Sequence, residues 1–164
     1  MDLSFRPSAW YGTWRGAMAR HVFFSFHYKF VWRVNQIRSA PNIIGSAAAG
    51  FHDKSLWESS KARPEQIKQM IRNALKGTSV TVVCITYGTK DRTYIDYEID
   101  QSLARGNGLV GIQLHHLSDP HNSESRVGAT PALILANGFK VYKYTNGPAL
   151  SRHIEEAAEI SGRA

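Results

Sequence analysis

Carboxylates held among apolar neighbours are where proton transfer and cation stabilisation concentrate in proteins, and one glutamate of this chain has that setting. Between Ile95 and Leu103, the residues Ile95, Ile99 and Leu103 make a helical apolar stripe with Glu98 at its margin. Tyr94 and Ser102 are its neighbours four residues away, so no Lys or Arg stands where a surface glutamate often finds an ionic partner. Position alone leaves two readings open, a solvated helix residue or a half-buried carboxylate facing neutral groups.

A second group is Phe23-Phe24-Ser25-Phe26-His27-Tyr28. One of the first two phenylalanines must be core, while His27 and Tyr28 lie past the strand end, where polar rings can stack on a base or hold a ribose. Core aromatics followed by a turn would look the same. His115, His116 and His121 match no zinc spacing and have no cysteine beside them, so no metal site is expected. Glycine-rich phosphate loops of the Walker or Rossmann kind are absent, which argues against nucleotide hydrolysis and ordinary hydride transfer. Gly-x-Ser-x-Gly is absent too, which argues against a serine hydrolase. Cys84 is the single cysteine and lies within the run Val80 to Ile85, where a buried, inert thiol is expected.

These residues need elements to position them. His21 to Phe26 is a β-branched and aromatic run that reads as a buried strand, followed by a short helix over Phe30 to Arg38 that ends before Pro41. Gly45 to Gly50 reads as a loop, with a weak second strand near Ala49 to Phe51. From Pro64, apolar residues recur at three and four positions through Ile67, Met70, Ile71, Ala74 and Leu75, and Gly77 stops that helix. Val80 to Thr86 has the composition of a central parallel strand. Asp91 or Thr93 is expected to cap the helix carrying Glu98, and Gly106-Asn107-Gly108 to close it. Further strands are expected at Leu109 to Leu114, Ala132 to Leu135 and Lys140 to Tyr144, with a closing helix over Pro148 to Ser161.

Strands alternating with helices imply a parallel sheet covered on both faces, and about five strands suit the flavodoxin-like order 2-1-3-4-5. Such sheets bind ligands beyond the strands' carboxyl ends, here between the first and third strands. That crevice would be walled by Ser25, Phe26, His27 and Tyr28 and by Thr86, Tyr87 and Gly88, with Glu98 brought to the same edge.

The 164 residues suffice for one domain with a core, and 43% apolar with 20% charged residues suits a globular chain. Residues 1–19 lack periodicity and are expected to be an extension, not necessarily native; Met18 would serve as an alternative start. Residues 20–164 form the domain. The formal charge of +7 favours anionic partners, but the basic residues are scattered, which argues against a nucleic-acid face. No apolar stretch approaches the roughly 20 residues of a membrane-spanning helix, no secretory signal opens the chain, and a cytoplasmic protein is expected.

The stretch Arg20 to Tyr28, the Trp57 region, and Thr78 to Glu98 with its Tyr94-Ile95-Asp96-Tyr97-Glu98-Ile99 helix together resemble the TIR-like proteins of bacterial Thoeris anti-phage defence. The likeness runs from about Arg20 to Leu114. It implies a TIR fold that breaks the nicotinamide–ribose bond of NAD and makes a cyclic ADP-ribose-type messenger for a separate effector protein. NAD would be substrate, with no further cofactor, and activity would depend on self-association or a phage-derived trigger. By the resemblance Glu98 is the catalytic glutamate; Ser25, Phe26, His27 and Tyr28 line the nucleotide site; Asp53, Ser55 and Trp57 border it; and Tyr87 and Tyr94 join the substrate contacts. Tyr94 stands where many TIR enzymes carry Trp. Two other readings remain at this stage: a non-catalytic TIR module for interaction or nucleotide sensing, and a nucleoside deoxyribosyltransferase-like enzyme.

Overall fold

The computed structural model describes residues 19–51, 53–60, 62–88 and 92–163. The expected N-terminal extension therefore lies almost wholly outside the described residues, as does Asp91, one of the two expected helix caps.

Strand β1 (Arg20–Ser25) is buried without a break from Val22 to Ser25, as a strand with two covered faces requires. Val22 and Phe24 point to one side of the sheet and Phe23 to the other. A 3-10 turn (Tyr28–Phe30) leads into helix α1 (Val31–Ile37), and the chain returns as β2 (Ile43–Ser46). Helices α2 (Lys54–Ser60) and α3 (Pro64–Leu75) follow, then β3 (Val80–Ile85), α4 (Arg92–Ala104), β4 (Gly108–Gln113), α5 (Ala132–Ala136), β5 (Lys140–Lys143) and α6 (Gly147–Ile160). All the strand pairings are parallel, in the order β2-β1-β3-β4-β5. This is the expected α/β architecture. Helices cover both faces: α1 and α6 pack on Val22, Phe24, Val82, Cys84 and Ile112, while α3 and α4 pack on Phe23, Val83 and Leu109.

Local chemistry accounts for most of the boundaries. Pro64 occupies the first turn of α3, where its missing N–H costs nothing, and Gly77 at φ 77° lets the chain leave the helix. Asn146 caps α6 by accepting from the Ala149 N–H at 2.9 Å. The long segment after β4 is held by Arg33 of α1, which is 2% exposed and donates to the carbonyls of His115, Asn122 and Glu124. Those backbone acceptors lie in a segment with no ladder of its own, so a buried guanidinium supplies donors that the sheet does not.

Three expectations are corrected. The second strand is Ile43–Ser46 rather than Ala49 to Phe51: Ile43 pairs with Arg20 and Ser46 with Phe23. Ala132 to Leu135 is not a strand but the start of α5, a single helical turn and a little more that buries Ile134 and leaves Leu135 60% exposed. Thr93 lies inside α4 rather than capping it.

Candidate active site

Glu98 sits at the middle of α4, with its side chain turned inward and 4% exposed. The stripe of Ile95 and Ile99 packs onto the sheet and carries Glu98 beneath the carboxyl end of β1. There Ser25, wholly buried as the last residue of β1, donates its hydroxyl to the carboxylate in a short hydrogen bond. The helix turn is fastened to the sheet as well. Ser102 donates to the Glu98 carbonyl at 2.6 Å, and its oxygen lies 2.7 Å from the Thr81 hydroxyl on β3. Two strands thus fix one glutamate, β1 through its carboxylate and β3 through its backbone.

Burial dominates the electrostatics. Removal from water pushes the Glu98 carboxyl up to about 8, against the opposing pull of the Ser25 hydrogen bond, which favours the ion. Burial, and secondarily the Glu98 charge, push the Cys84 thiol up too, so it stays protonated, in keeping with an inert core residue.

The carboxylate opens onto a cavity of about 550 Å³. One side is α1, through Val31, Trp32, Asn35 and Gln36; the other is the segment 47–51 with Asp53, Lys54 and Trp57. Phe24, Phe26 and Tyr28 extend from β1 between them. Small side chains make the room, since Ala47, Ala48, Ala49 and Gly50 form much of the wall. Aromatic packing makes it firm: Phe51 stacks on Phe26 with centroids 6.1 Å apart and meets Phe24 edge-on at 5.7 Å. A volume of this size suits a nucleotide-scale ligand, and apolar walls around a few polar groups are the usual form of such a site.

Of the residues singled out from sequence, Glu98, Phe26, Tyr28, Asp53 and Trp57 line this cavity together. Ser25 stands behind the carboxylate rather than in the wall. Tyr94 is not in the wall; it packs edge-on against Trp57 at 5.7 Å and buttresses it. Ser55 is exposed on α2 and is absent from the lining. His27 and Tyr87 lie elsewhere, in a smaller hollow of about 290 Å³ with Lys29 and Arg126. The split follows from alternation: Phe26 and Tyr28 face one side of the connection and His27 the other, though the His27 ring still stacks on Tyr28 at 4.7 Å. Tyr87 is covered by the Arg126 guanidinium, 3.8 Å from its ring centroid. Sequence reasoning passed over Trp32, Asn35 and Lys54 as cavity residues. The available signal was on α1, where Val34 and Ile37 define the buried stripe and leave Trp32 and Asn35 on another face. Among the described residues no three His, Cys, Asp or Glu side chains group as metal ligands would, and no helix is long and apolar enough to cross a membrane.

A parallel sheet in the order 2-1-3-4-5 with a buried glutamate on the helix after the third strand is the architecture of a TIR-type domain. More narrowly, residues 23–119, over half of the chain, match the family model described as "Thoeris protein ThsB, TIR-like domain", and the chain belongs to this family. A relative from Bacillus cereus (strain MSX-D12), named "Putative cyclic ADP-D-ribose synthase ThsB1", is 38% identical over 141 residues, covering 79% of this chain and 73% of the relative.

Proposed function

We propose that this chain is an NAD-consuming enzyme that breaks the nicotinamide–ribose bond and closes the remaining ADP-ribose into a cyclic signal for anti-phage defence. The observation that carries the reading is Glu98, a lone buried carboxylate at the wall of a largely apolar, nucleotide-sized cavity. The relative named as a cyclic ADP-D-ribose synthase supports it.

The chemistry needs little more. Nicotinamide leaves a positively charged pyridinium as a neutral molecule, taking the electron pair of the bond to the ribose anomeric carbon. No general acid is needed, unlike glycoside cleavage with its two carboxylates. Positive charge builds on the ribose, and ionised Glu98 opposes it at short range in a site that excludes much of the water. The same positive charges favour ionisation of Glu98, so the bound substrate draws its carboxyl below the value of the empty site. Ser25 steadies the ion. Phe26, Tyr28 and Trp57 supply ring surfaces for the two bases, and Asp53 an acceptor for ribose hydroxyls. Tyr94 acts through Trp57. His27, Tyr87 and Ser55 then influence the site from outside the cavity. Walls that exclude water favour capture of the cation by a nucleophile of the same molecule, whose proton is released as the new bond forms. NAD is the substrate, with no added cofactor. The setting is cytoplasmic; self-association or a phage-derived trigger switches the enzyme on, and a separate effector reads the product.

The test is to incubate the protein with NAD, alone and with phage-infected lysate, and to follow products by mass spectrometry. Release of nicotinamide with a product lighter than ADP-ribose by one water is expected. ADP-ribose alone would replace cyclisation with hydrolysis. No nicotinamide under either condition would leave the protein as a binding module and end the enzymatic reading.

A further inference from the structure

Among the described residues that line the cavity, Lys54 is the only cation. The other ionisable acids of the lining are Glu98 in the wall and Asp53 beside Lys54 in sequence. A dinucleotide brings a diphosphate with two negative charges, and one of the lining groups must meet it or leave it in water. Lys54 is built to do so. It opens α2, its side chain is 65% exposed, and its ammonium lies 5.8 Å from the ring centroid of Tyr28, itself a cavity residue. Among the described residues its ion-pair partner is Glu58, 3.9 Å away on the exposed side of the same helix, too loose a contact to fix the ammonium.

We infer that Lys54 binds the diphosphate of the substrate and thereby fixes its direction in the cavity, nicotinamide inward towards Glu98. The assignment rests on the NAD reading of the site. The exposed ammonium gives the cavity a cationic rim, and the buried Glu98 carboxyl gives it an interior that ionises when a positive charge is bound beside it. NAD has the complementary pattern, an anionic centre and a cationic nicotinamide end. Reversing the molecule would place adenine, which is neutral, against Glu98 and lose that match. Lys54 is therefore a positioning and affinity residue, and it takes no proton in the reaction.

Binding to the Glu98→Gln protein tests this without turnover. Affinities for NAD and for nicotinamide riboside, which has no phosphate, are measured by calorimetry with Lys54 intact, as Lys54→Ala and as Lys54→Arg. Lys54→Ala should weaken NAD about tenfold, the scale of one charge-assisted hydrogen bond, and leave the riboside unchanged. Lys54→Arg should restore most of the loss, and added salt should weaken NAD more in the parent than in Lys54→Ala. Unchanged NAD affinity in Lys54→Ala overturns the assignment, as does an equal loss for both ligands, which would mark a structural role. If the parent binds neither ligand, the NAD reading of the cavity fails first and the assignment falls with it.

Discussion

A carboxyl group that works as an anion but is buried where ions are disfavoured titrates late, and the rate should record it. Free protein has Glu98 mostly protonated at neutral pH, because its carboxyl is held at about 8. The quantity kcat/KM for nicotinamide release should therefore climb with pH and level off above that value, with the limb in kcat lying lower because the cationic substrate favours the ion. A flat profile between about pH 6 and pH 9 would contradict this. Ser25→Ala removes the donor that favours the charged form, and the kcat/KM limb should move up by about one pH unit, the size of a hydrogen bond to an ion. The same titration enters stability with a definite sign. The folded carboxyl sits above its ordinary 4.5, so the contribution of protonated Glu98 is fully present below 4.5 and is lost as pH rises through about 8. Glu98→Gln cannot ionise. Thermal denaturation should find it no more stable than the parent near pH 4, and more stable at about pH 9 by on the order of 5 kcal/mol.

Elements decide whether such a residue is placed at all, and the wall opposite Glu98 depends on a strand that sequence patterns hide. Strand β2 has only Ile43 and Ile44 before Gly45, and Ile44 is 49% exposed at the sheet edge, so no alternating or fully apolar run marks it. The aromatic Phe51 attracts the eye instead, although its ring packs on Phe24 and Phe26 from the loop beyond. Gly45 shows why the strand must carry glycine there: an added Cβ would lie 2.8 Å from the Phe24 ring and 3.3 Å from that of Phe51. The Phe24 ring is hemmed in by the core, while Phe51 is partly buried and borders the cavity. Gly45→Ala should cost about 1 to 3 kcal/mol in denaturant unfolding and raise KM for NAD, because the displaced rings form the cavity wall. The misread Ala132 to Leu135 has a related cause. Four apolar residues in a row fit a buried strand or a helical turn equally well, and only tertiary packing, which buries Ile134 and exposes Leu135, separates them. By contrast α3 and α4 are legible because their periodicity extends over many residues, and β3 because its apolar run is unbroken. The helical projection put Glu98 at the edge of a buried stripe, but its depth is set by Ser25 across 73 positions of sequence, which no local pattern contains.

At the scale of the whole molecule, the sheet core and the cavity walls differ in how they are held. Strand β3 pairs with β1 over Val80 to Val83 and with β4 over its whole length, and its flanking helices fill both faces. The segment 47–51 and α2 reach that core mainly through Phe51 and Trp57, which are also the residues a ligand would touch. A dinucleotide bound between α1 and α2 would join the less anchored wall to the anchored one, and binding to the native state alone must raise stability with ligand concentration. The Glu98→Gln protein keeps the cavity without consuming NAD, so it isolates that effect. At NAD a hundredfold above Kd the gain should be about 2.7 kcal/mol, an upward shift of several degrees in Tm. Amide exchange should slow in residues 47–60 far more than in α6, which packs on the sheet and contributes no residue to the lining. Protection spread evenly over α6 and α2, or none on either, would mean that the ligand does not bridge these two walls.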